Sequence, residues 1–147
     1  MDTYVAVVGP GEAREEEVAA AERVGEGLAR GGAVVVCGGL GGVMEAACRG
    51  AKRAGGTTVG ILPGLDRASA NPFVDVAIPT GLGEARNALV VRAADILIAV
   101  GGAYGTLSEI ALALKTGKPV LGLGSWAIDG VVAVEDAERA VATALGS

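Results

Sequence analysis

A chain of 147 residues, 51% of them apolar, is long enough to bury a substantial core as one domain. Its formal charge of −5, with no Lys/Arg-rich run, lacks the clustered basic face that a nucleic-acid partner needs. With no histidine, and with Cys37 and Cys48 outside any C-x-x-C pattern, neither a zinc site nor a disulfide framework is indicated, so no metal is expected.

The chain opens on Met1-Asp2-Thr3-Tyr4, without a basic segment leading into a long apolar core. No apolar run approaches the ~20 residues of a membrane span. A soluble, cytoplasmic protein with no membrane partner is expected. Tyr4-Val5-Ala6-Val7-Val8 reads as a buried strand that ends in Gly9-Pro10-Gly11. A helix is predicted from Glu12 to Arg30: Val18, Ala21, Val24 and Leu28 share one face, and Glu12, Glu15, Glu16 and Glu17 favour the positive end of its dipole. Gly31-Gly32 stops it. Ala33–Cys37 is the next strand, and Gly38-Gly39-Leu40-Gly41-Gly42 leads directly into a helix from Val43 to Ala54.

Thr57–Leu62 gives a third strand, Leu65–Pro72 an irregular connection with one helical turn, and Phe73–Ile78 a fourth, less buried strand. A turn over Pro79–Gly83 precedes a helix over Glu84–Ala94. Asp95–Val100 is a fifth strand, followed by Gly101-Gly102-Ala103-Tyr104-Gly105-Thr106 and a helix over Leu107–Lys115. Lys118–Leu123 forms a sixth strand, Val131–Val134 an added edge strand, and Glu135–Leu145 a closing amphipathic helix.

Near-continuous Val/Ile/Leu/Ala strands alternating with helices imply an α/β, Rossmann-like, doubly wound domain spanning 1–147, with a mainly parallel sheet of six or seven strands and helices on both faces. Ligands in such a sheet bind beyond the carboxyl ends of the strands. Four loops converge there: Gly9–Gly11, Gly38–Gly42, Thr80–Arg86 and Gly101–Thr106. At the last of these, glycines admit close backbone approach and a helix start offers unpaired N–H groups, an arrangement suited to phosphate. Thr106 and Glu109 bracket two readings of that helix start. Thr106-Leu107-Ser108-Glu109 is a capping box, yet a carboxylate beside a bound anion would instead face the ligand.

Cys37 through Met44, Gly50-Ala51 through Pro63, Arg86-Asn87, and Gly101 through Glu109 together resemble the SLOG superfamily over nearly the whole chain. Within it the likeness is to the bacterial branch that contains the molybdenum cofactor carrier proteins. Related members are the Lonely Guy phosphoribohydrolases, whose motif is P-G-G-x-G-T-x-x-E with an upstream Arg-Lys pair. Gly101, Gly102, Gly105, Thr106 and Glu109 match that motif, and Arg86 matches the catalytic arginine; Val100 replaces its proline and Asn87 its lysine.

The resemblance implies a carrier or binding protein for a phosphorylated small molecule, with nucleotide, phosphate or molybdenum cofactor as ligand and no required cofactor. Its ligand-binding residues would be Gly9, Gly11, Gly38, Gly39, Gly41, Gly42, Met44, Glu45, Arg86, Asn87, Gly101, Gly102, Tyr104, Gly105, Thr106 and Glu109. The alternative is a phosphoribohydrolase cleaving the N-glycosidic bond of a nucleoside 5′-monophosphate. Arg86 would then position the ligand and Glu109 would stabilise the ribosyl centre or activate water. Some relatives carry the label lysine decarboxylase, a chemistry that needs a Schiff-base lysine. Lys52, Lys115 and Lys118, the only lysines, read as helix-surface or helix-end residues. Trp126 is expected at a sheet edge or subunit contact rather than on a base. Apolar helices over Ala85–Ala94 and Ile110–Leu114 suggest a homodimer or homotetramer.

Overall fold

The computed structural model describes residues 2–146. Seven parallel strands form one sheet: β1 (Tyr4–Val8), β2 (Val34–Cys37), β3 (Thr58–Leu62), β4 (Val76–Pro79), β5 (Ile96–Val100), β6 (Val120–Leu123) and β7 (Val131–Ala133). Their order is β4-β3-β2-β1-β5-β6-β7, so the direction of winding reverses between β1 and β5. The helices are α1 (Glu15–Arg30), α2 (Val43–Arg53), α3 (Asn87–Ala93), α4 (Tyr104–Lys115) and α5 (Ala137–Ala144). This is the Rossmann-like α/β fold expected from the alternating apolar runs.

The two-residue period of a strand divides β1 between two cores. Val5 and Val7 pack with Ile98, Val100 and Leu121 under α1, α2 and α5, whereas Ala6 and Val8 pack with Val36, Leu97 and Ala99 under α3 and α4. Leu28, Ile98 and Ile110 are fully buried, each stabilising the fold by roughly 1.5–3 kcal/mol. α1 and α2 touch backbone to backbone. A Cβ at Gly25 would lie 2.0 Å from the Ala47 carbonyl oxygen, and one at Gly50 would lie 2.0 Å from that of Glu22. Arg49 reinforces the contact by bonding Glu22 at 3.2 Å.

Several boundaries differ from the sequence reading. α1 starts at Glu15 because the Glu17 carboxylate reaches back to accept the Arg14 N–H at 2.9 Å, leaving Gly11 and Glu12 in the loop. β4 starts at Val76, since Phe73 is held in a turn: its carbonyl accepts from Thr58 Oγ1 at 2.6 Å and its N–H donates to Asn71 Oδ1 at 3.0 Å. The segment expected as one helix over Glu84–Ala94 divides into a 3₁₀ turn, Gly83–Arg86, and α3. α4 starts three residues before Leu107, with Ala103 as its cap.

Of the apolar residues in the two helices proposed for self-association, Val90, Val91, Ala94, Ile110 and Ala113 are buried in the chain's own core, while Ala85, Ala88, Leu89, Ala93 and Ala111 are exposed. Leu65, the most exposed large apolar side chain, and Leu82 lie in the connections flanking edge strand β4. Cys37 and Cys48 are free, buried thiols with sulfurs 3.5 Å apart. No helix among the described residues is long and apolar enough to cross a membrane.

Candidate functional site

In a doubly wound sheet the two loops at the reversal of strand order diverge and open a crevice. Here they follow β1 and β5, and a cleft of about 510 Å³ lies at that point. Its wall comprises Val8 to Gly11 after β1, Gly38, Leu40 and Met44 around the start of α2, and Pro63 after β3. Glu84, Arg86 and Asn87 close one side, and Ala103 to Thr106, Ser108 and Glu109 of α4 close the other.

The chain reaches α4 through Gly101, whose φ of +72° reverses the backbone after β5. A side chain there is excluded for a second reason, since its Cβ would sit 2.0 Å from Glu17 Oε2. Ala103 is extended and contributes no side-chain cap, so the first N–H groups of α4 have neither an intrahelical partner nor a capping oxygen. The capping box over Thr106–Glu109 therefore does not form. Thr106 sits within the first turn, 2% exposed, and its hydroxyl oxygen is buried without a hydrogen-bond partner.

Arg86 is held by two partners, one in the loop after β2 and one its chain neighbour. Its Nη2 donates to the Gly38 carbonyl at 3.4 Å and its Nη1 donates to Asn87 Oδ1, while its Nε is buried with no partner. Asn87 Nδ2 then donates to Ser108 Oγ at 3.0 Å, and Ser108 Oγ donates to the Gly105 carbonyl at 3.0 Å. The chain of bonds ties the loop after β2 to the start of α4 and fixes the guanidinium at the cleft wall. Asn87, at the position of the enzymes' lysine, is fully engaged in this chain. Glu109 is 7% exposed, and burial pushes its carboxyl up to about 7 although the nearby Arg86 charge pulls the other way. A buried acid poised near neutrality beside a buried cation is the pattern of a ligand or catalytic site.

Of the residues singled out in the sequence, the structure brings Gly9, Gly11, Gly38, Met44, Arg86, Asn87, Tyr104, Gly105, Thr106 and Glu109 to the cleft wall. Six lie outside its lining. Gly39 and Gly42 pack on protein, a Cβ at either falling 2.6 Å from Leu62 and 2.2 Å from the Pro10 carbonyl oxygen, respectively. Gly41 faces Gly11, and Glu45 pairs with Arg49 at 3.7 Å. Gly101 is the buried turn, and Gly102 lies against Trp126 in a neighbouring hollow. Val8, Pro63 and Ser108 line the cleft without having been expected to, and Pro10, Leu40, Glu84 and Ala103, within the four loops expected there, line it without having been singled out. Pro10, Leu40 and Ala103 sit between flagged glycines, and that adjacency was the available signal.

Lys52 and Lys118 are occupied elsewhere, Lys52 by Asp75 and the Gly56 carbonyl and Lys118 by three carbonyls at the end of α3. Trp126 donates from Nε1 to the Ala103 carbonyl at 3.1 Å, bracing the loop that precedes α4.

The profile of the SLOG cluster4 family matches residues 2–145. The chain belongs to this family. An uncharacterized protein of Archaeoglobus fulgidus is 49% identical over 138 residues, covering 93% of this chain and 91% of its own. Among solved structures, the molybdenum cofactor binding protein of the phototrophic bacterium Rippkaea orientalis superposes on this SLOG cluster4 chain with a TM-score of 0.93. The two are 38% identical, over 97% of this chain and 95% of that one. The molybdenum cofactor carrier protein of Chlamydomonas reinhardtii gives a TM-score of 0.88 at 36% identity, over 97% and 96%.

Proposed function

We propose that this SLOG cluster4 chain is a cytoplasmic binding or carrier protein for a phosphorylated small molecule, a nucleotide or a molybdenum-cofactor-like pterin, held between Arg86 and the first turn of α4. The observation that carries the reading is the pair of buried, unpartnered polar atoms, Thr106 Oγ1 and Arg86 Nε, at one cleft whose adjoining helix start is also uncapped. Buried polar groups without partners are rare in folded proteins, and a phosphate would satisfy the hydroxyl, the guanidinium and the helix N–H groups together. The similarity to proteins described as molybdenum cofactor binding and carrier proteins supports a carried pterin as the cargo.

A second reading, N-glycosidic hydrolysis of a nucleoside 5′-monophosphate, is favoured by one observation: Glu109 titrates near 7, where a carboxyl can accept or donate a proton. Against it, Asn87 supplies no charge where the resembling enzymes have lysine, and its amide is consumed by Arg86 and Ser108. Self-association into a dimer or tetramer belongs to the proposal, with Leu65, Val76, Ile78 and Leu82, each 44–89% exposed, as the apolar surface that supports it. Light scattering at micromolar concentration is expected to give a multiple of the chain mass.

Native mass spectrometry of freshly purified protein tests the carrier reading. One phosphorus-containing small molecule per chain, absent from Arg86→Ala, is the expected result. An adduct retained in full by both Arg86→Ala and Gly105→Val would place the ligand elsewhere.

A further inference from the structure

Tyr104 is the least explained side chain at the cleft. As the first residue of α4 it lines the cleft wall, yet its residue surface is 84% exposed. The ring is nevertheless braced. It stacks on Trp126, with centroids 6.3 Å apart and planes inclined by 26°, and Trp126 is itself fixed by its bond to the Ala103 carbonyl and by its seat against Gly102. A Cβ on Gly102 would lie 3.0 Å from Trp126 Nε1, so the seat exists because residue 102 is glycine. Two aromatic rings thus stack beside the site, Tyr104 on the cleft wall and Trp126 in the neighbouring hollow, with much of Tyr104 left open.

The cleft volume of about 510 Å³ is far more than a phosphate fills and falls in the range of sites for drug-sized organic ligands. A ligand anchored by phosphate at the first turn of α4 has a second part within reach of the Tyr104 ring. An exposed aromatic face recognises a planar π-system, and stacking tolerates any ring that offers one. We infer that Tyr104, braced by Trp126, is the stacking platform for a planar nitrogen heterocycle, a purine or a pteridine, carried by the phosphorylated ligand. This rests on the carrier reading above and adds to it the residue that recognises the ligand's ring.

AMP and ribose 5-phosphate share phosphate and sugar and differ only in the heterocycle, so calorimetric titration of both isolates the ring. Tyr104→Ala is expected to weaken AMP binding by about tenfold or more and to leave ribose 5-phosphate unchanged, whereas Tyr104→Phe retains both affinities. Trp126 is the only tryptophan, so its emission is expected to shift with AMP and not with ribose 5-phosphate. Equal AMP affinity in wild type and Tyr104→Ala, with Arg86→Ala still impaired, overturns the stacking role and leaves the carrier reading standing. A wild-type protein that binds neither probe and carries no phosphorus-containing adduct in native mass spectrometry overturns both. A lower oligomeric mass in Tyr104→Ala, by light scattering, would assign the ring to a contact between copies and contradict the proposal.

Discussion

The two glycine-rich loops that follow β2 and β5 look alike in sequence and differ in what their glycines meet. In the loop after β2, Gly39 and Gly42 have positive φ and press against Leu62 and the Pro10 carbonyl, so the absent side chains leave room for protein. In the loop after β5 Gly101 is used in that way, and Gly102 makes room for Trp126. Gly105 has nothing within 4 Å of where its Cβ would be, and it lines the cleft. The first loop is a joint between neighbouring loops, the second a helix start left open beside two unpartnered polar atoms. Glycine content alone does not separate a tight joint from a ligand cradle; the atoms around each missing Cβ do.

The sharpest way to break this comparison is to fill one glycine in each loop. Gly42→Ala combines a strained φ of +64° with a Cβ 2.2 Å from the Pro10 oxygen, and it is expected to destabilise the fold by about 3 kcal/mol or more in denaturant melts. Gly105→Val is expected to change stability by less than about 1 kcal/mol while abolishing anion binding by calorimetry, since the added atoms project into the cleft. Equal stability losses in the two variants would erase the distinction.

Arg86→Ala follows in size. Removing charge-assisted bonds to a bound phosphate is expected to weaken binding by about 1.5–3 kcal/mol in the same titration. Undiminished affinity would remove the guanidinium from the site.

Glu109 gives a pH signature. Its folded value of about 7 lies above the ordinary 4.5, so the folded state holds the proton longer, and stability falls as pH rises from about 4.5 through 7. Denaturant melts are expected to show a loss on the order of 2 kcal/mol between pH 5 and pH 8 that Glu109→Gln removes. Glu17 and Asp75 are held below their ordinary values by Arg14 and Lys52, and they titrate beneath this window. Anion affinity, referenced to Glu109→Gln to cancel the phosphate's own ionisation, is likewise expected to fall above pH 7. A flat difference across this range would mean that Glu109 is remote from the anion.

Most strands were legible because a parallel sheet covered on both faces demands continuous apolar runs, and Tyr4–Val8 and Asp95–Val100 supply them. β4 was misplaced because an edge strand lacks that demand, and because the side chains of Asn71 and Thr58, not propensity, hold Phe73 in a turn. The start of α4 was placed late because a glycine in a first helical turn reads as loop. Arg86 and Glu109 were found through the resemblance. The bonds joining Arg86 to Gly38 and Asn87 to Ser108, and the Gly25 and Gly50 contacts between α1 and α2, depend on proximity across 20 or more residues or on which backbone atoms face each other. Local periodicity carries no trace of either.

The carrier reading stands or falls most directly on whether bound nucleotide stays whole. Wild-type protein incubated with AMP and sampled over time by chromatography is expected to release no free adenine, because Asn87 leaves the Arg86–Glu109 pair without the second cation of the resembling enzymes. Time-dependent adenine release that Glu109→Gln eliminates would contradict the carrier reading and establish the hydrolase.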